Sequence, residues 1–188
     1  MDIATVSVIS SSVVALGTVG ANFMSGERQR RHEADLDFER RAWERKSDAL
    51  FVVIERARSL ADSSEPVTDD NRLTYALDLS MLLDALLTNR ATVEAFASSD
   101  CRATLTALIN TMQSQGVKPG VGEREARYRN LAMEAGIDNP ERWDIYRKWW
   151  KEAEREATTH FNPDLSALHP LAERLLEAAR LSVRRPKE

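Results

Sequence analysis

Three histidines, one cysteine and two aspartates inside an apolar stretch are the residues of this chain whose types invite chemistry. His160 and His169 flank Asn162-Pro163, and with Glu173 they could offer two imidazoles and a carboxylate to a metal. Their spacing matches no zinc motif, and His32 lies far away in a charged segment. Cys101 follows Ser98-Ser99-Asp100, a helix-start pattern, and a thiol at a helix N-terminus ionises more readily. No histidine is near it in sequence, so a small buried side chain is the better reading. As the only cysteine it excludes an intrachain disulfide, which agrees with a reducing compartment. Asp78 and Asp84 interrupt an apolar run. Paired acids can do acid–base work, but a buried carboxylate first needs a partner, and an arginine from a neighbouring helix is expected for each. A hidden enzyme would need Asp78, Asp84, His160 and His169 to converge.

The segment Gly116-Val117-Lys118-Pro119-Gly120-Val121-Gly122 is rich in glycine but lacks the Gly-Lys-Ser/Thr ending of a phosphate-cradling loop. It reads as a connector. No nucleophile triad, dinucleotide fingerprint or calcium loop is present. The sequence therefore leads to no catalytic residue, no cofactor and no metal, and to a protein that is not an enzyme. With a formal net charge of −4 and no long basic run, it has no footprint for nucleic acid.

The densest aromatic cluster is Trp143, Tyr146, Trp149 and Trp150. Trp143, Tyr146, Trp150, Ala153 and Ala157 share one helical stripe, which reads as core. Trp149 sits at the margin of that stripe beside Arg147, Lys148 and Lys151. Trp149, Lys148 and Lys151 are therefore the candidate partner surface, with a protein or the membrane surface as what they touch.

The elements that must carry these residues are helices. Apolar residues are mainly Ala and Leu, aromatics are 6% and charged residues 30% of the chain, a folded and helix-favouring composition. Residues 3–24 contain no charged side chain. That is long enough for a single transmembrane helix, and domain 1–26 is read as a signal anchor. A cleaved signal peptide would carry a basic start where Asp2 stands. A buried soluble helix or a helix lying flat in the interface would show a charged face. Arg28, Arg30 and Arg31 follow directly, which places the N-terminus outside and the remainder in the cytoplasm of a bacterial inner membrane. Gly17 and Ala21 have the small-xxx-small spacing of helix self-association, hence a possible homo-oligomer.

Residues 27–46 read as a charged helical stalk with favourable Glu27–Arg31 and Asp37–Arg41 pairs. Leu36, Trp43, Leu50 and Ala57 repeat at seven, with Val53 and Leu60 as second seam, which suggests either a coiled coil or, preferably, a helix whose lower part docks on the domain. Residues 47–183 then form a bundle of about five to six helices, with connector 116–122 and a basic tail at 184–188. Helices are expected at 73–87, capped by Thr68, Asp69 or Asp70, and at 91–97, 102–115 and 123–135. Two more begin with an Asn-Pro device at Asn139-Pro140 and Asn162-Pro163, and Pro170 kinks or starts the last.

The fold class is thus all-α. The functional expectation is a membrane-anchored adaptor or regulator that recruits an unidentified protein partner at the inner membrane face, where tethering raises effective concentration. The alternative is an oligomerising membrane effector, pore-forming or membrane-disrupting, with the bundle as its sensor.

Overall fold

A composition low in aromatic residues, with Ala and Leu as its main apolar residues, favours helices. In the computed structural model the described residues are 3–63, 65–136 and 138–183, with side chains described from residue 32 onward within those ranges. Six helices form among them: α1 (Ile3–Ala61), α2 (Arg72–Phe96), α3 (Ser99–Ser114), α4 (Val121–Ala135), α5 (Pro140–Thr158) and α6 (Leu165–Val183). They divide into two compact units, Met1–Glu44 and Arg45–Glu188.

In the first unit, the expected membrane segment 3–24, with Gly17 and Ala21, and the arginines Arg28, Arg30 and Arg31 fall where the side chains of α1 lie outside the described residues. Among the described residues no helix is long and apolar enough to cross a membrane. From residue 32 to 44 the side chains are mostly exposed. Asp37 accepts from Arg40 at 3.0 Å and also from Arg41, while Arg40 lies 3.7 Å from Glu44. Such solvated pairs hold little energy.

The second unit is a bundle around one apolar core. The lower residues of the seven-residue repeat, Leu50, Val53, Ala57 and Leu60, are buried in that core, whereas Leu36 and Trp43 stay exposed. The repeat marks a docking stripe that begins only near Ala49. Leu83 and Leu86 of α2, Leu105, Leu108, Ile109 and Met112 of α3, and Leu168 and Leu175 of α6 fill the centre with Phe161.

Three local expectations need correction. The two helices foreseen at 73–87 and 91–97 are one, because Asn89 bonds back to the Ala85 carbonyl at 2.8 Å and Arg90 pairs with Glu94 at 2.6 Å, so nothing at 88–90 ends the helix. Its cap position is Asn71 and not Thr68, Asp69 or Asp70. Asn71 accepts from the Thr68 amide and donates to the Pro66 carbonyl, which folds the preceding loop onto itself. The Asn-Pro device works once. Asn139 caps α5 by accepting from the Arg142 amide at 3.2 Å, but α6 starts at Leu165 with Asp164 accepting from the Ser166 amide. The amides of Asn162 and Asp164 are already committed to Gln115, so the chain there is held extended past Pro163. Pro170 lies inside α6, and the helix runs through it.

The end of α3 explains one glycine of the connector. Gly116 has φ +83°, and a Cβ there would lie 2.1 Å from the His160 carbonyl oxygen. The backbones of the α3 end and the α5–α6 turn are in contact, and only glycine permits the approach.

Candidate functional site

The chemistry-bearing residues separate in space. Asp84 accepts from the Gly120 amide at 2.7 Å. Its partner is the backbone at the start of α4, and not an arginine. The neighbouring Ser80 donates to the Lys118 carbonyl at 2.7 Å and accepts from the Gly122 amide at 2.9 Å. Together they seat the first turn of α4 on α2, where Gly122 leaves room for Met81 and the Leu77 carbonyl. A helix start has unsatisfied amides, and two acceptors from α2 supply what the sequence around Gly120 cannot.

His169 Nε2 lies 3.2 Å from Ser63 Oγ. The single Ser63 hydroxyl hydrogen is directed at the Leu60 carbonyl, 2.6 Å away, so the imidazole is assigned as donor and leaves Ser63 unactivated as a nucleophile. His160 sits in the α5–α6 turn with φ +63°, its carbonyl against Gly116. Asp78 lines a surface cleft with Tyr75 and Arg56. The four residues that an acid–base site would unite thus lie in separate surroundings, Asp84, His160 and His169 against different neighbours and Asp78 in a surface cleft. Among the described residues no three His, Cys, Asp or Glu side chains are grouped to hold a metal. Cys101 is fully buried under Ser98, whose side chain accepts from its amide. Burial pushes its thiol up, away from the thiolate.

The aromatic stripe behaves differently from its core reading. Only Ala153 and Ala157 of that stripe are fully buried. Trp143, Tyr146 and Trp150 are half-buried, and Ile145 and Trp149 are exposed, Trp149 at 47%. The reason lies in the helix facing them. α4 fully buries only Val121, Gly122, Glu125 and Ala132; of its larger apolar and aromatic side chains Met133 is exposed and Tyr128 and Leu131 are half-buried, so it does not enclose four large rings.

What forms instead is an open aromatic cluster. Trp149 packs its ring 5.4 Å from Tyr128 of α4 and 5.8 Å from Tyr146. Arg147 stands 4.7 Å over Trp143 and Lys151 4.5 Å over Trp150. Lys151 also bonds Glu154 at 2.7 Å. All three residues singled out in the sequence, Lys148, Trp149 and Lys151, are exposed to solvent, and Lys151 is also paired with Glu154. Trp149 also borders a cleft of about 190 Å³ between α4 and α5, whose lining includes an Arg124–Glu156 pair at 2.9 Å. Tyr128 and Arg124 were not foreseen. Their spacing on α4 is ordinary, and only the pairing with α5 brings them to Trp149.

No protein-family model, curated protein or solved structure matches this chain.

Proposed function

We propose that the protein is a membrane-tethered helical adaptor, with α1 carrying the anchor and the α4–α5 face recruiting a protein partner at the inner side of a bacterial plasma membrane. The observation that carries this reading is Trp149, 47% exposed and braced by two tyrosines at the edge of an unfilled cleft. An aromatic ring held rigid by its neighbours loses little entropy on contact, which is why such rings anchor interfaces. The tether itself is inferred from the uncharged run 3–24 and the arginines after it.

A photo-crosslinking residue placed at the exposed position 148, beside an intact Trp149, in the full chain expressed in bacterial cells, tests both halves. The expected result is one discrete adduct from the membrane pellet, absent when the crosslinker replaces the exposed Leu181 of α6. Release of the intact chain by plain buffer overturns the tether, and identical adducts from both positions overturn the surface.

A further inference from the structure

We infer that the outward face of α2 carries a binding site for a small organic cation with an apolar stem, its charged head between Asp78 and Glu125. Two cavities meet on this face. One, of about 510 Å³, lies between the end of α1 and the start of α2. The other, of about 250 Å³, lies between α2 and α4. Thr74, Asp78 and Met81 border both, so the two form one groove crossing α2. The larger cavity is within the range that small ligands use.

The chemistry of the lining is one-sided. The charged residues of the larger cavity are Glu65, Asp70 and Asp78 against Arg56, and those of the smaller are Asp78 and Glu125 against Arg129. Glu125 supplies the independent observation. It is 2% exposed, its Oε1 has no hydrogen-bond partner, and its Oε2 faces Arg129 at only 3.4 Å. A buried carboxylate oxygen without a donor is costly. An ammonium group brings three donors and the compensating charge. Met81 and Arg129, the long side chains beside Glu125, are both more than 40% exposed and can rotate to admit it. Asp78 lies open at the junction of the cavities, and desolvation holds its carboxyl above the ordinary range, a penalty that a bound cation would offset. From that junction a hydrocarbon stem reaches Leu60, Leu79 and Leu82, the buried leucines of the larger cavity.

The test is calorimetric titration of the full chain in detergent with n-hexylammonium, using hexanol and hexanoate as uncharged and anionic counterparts. Saturable binding of hexylammonium is expected, weaker by at least ~10-fold for both counterparts and for Asp78→Asn, since a charge-assisted bond is lost in each. Detergent partitioning affects wild type and Asp78→Asn alike and cancels between them. Glu125→Gln should weaken binding similarly. If that variant does not fold, Asp78→Asn decides alone, because its side chain is open to solvent. Equal binding of the three probes, an unaltered Asp78→Asn, or no saturable heat overturns the inference.

Discussion

The α3–α6 pair and the α4–α5 pair are built from opposite kinds of side chain. α3 and α6 meet through Leu105, Leu108, Ile109, Met112, Leu168 and Leu175, all at 1% exposure or less. A serine pair, Ser98 and Ser182, closes one end at 3.0 Å. α4 and α5 hold five large aromatic rings yet fully bury only Val121, Gly122, Glu125, Ala132, Ala153 and Ala157. The bulkiest apolar side chains therefore do not mark the core. Aliphatic side chains of moderate size interdigitate from several helices at once, whereas rings on a two-helix layer find a neighbour on one side only. The first pair holds the fold, and the second displays a surface.

The difference can be broken or sharpened by substitution. Leu108→Ala, at the centre of α3, should cost about 2–5 kcal/mol in denaturant unfolding. Gly116→Ala should cost at least ~2 kcal/mol, since it adds left-handed strain to a clash with the His160 backbone, and the loss should appear as a lower Tm. Ser80→Ala, which orphans the Gly122 amide and the Lys118 carbonyl, should cost about 1–3 kcal/mol. Hydrogen exchange should show the opening confined to α4 and α5, and equal loss of protection in α3 and α6 would erase the distinction between the pairs. Trp149→Ala should change stability by less than ~1 kcal/mol while abolishing the partner adduct. A loss comparable to Leu108→Ala would return the aromatic stripe to the core. The smallest effect belongs to Asp78. Its carboxyl is raised in the folded state, so its contribution is most favourable below the unfolded carboxylate value and is lost as pH rises through the folded one. Asp78→Asn should therefore flatten the stability profile slightly across the mildly acidic range.

Much of the helical layout is visible in the residues themselves. Asn139-Pro140 and Gly136 bound their helices as local capping chemistry requires. Cys101 is buried beside the Ser98 cap, which short-range pattern also indicates. Asn162-Pro163 looks identical to Asn139-Pro140 and starts no helix, because Gln115, far away in the chain, holds its backbone.

The sequence alone determined that the described residues are helical, where several of the helices begin or end, and which residues of α1 could face a core, because propensity, capping and apolar periodicity act within a few residues. Tertiary structure decided which apolar stripe is enclosed, which amide Asp84 serves, and that Asp78 and Glu125 border one groove. Those outcomes depend on the helix lying opposite, and the identity of that helix is set by packing between segments distant in the chain.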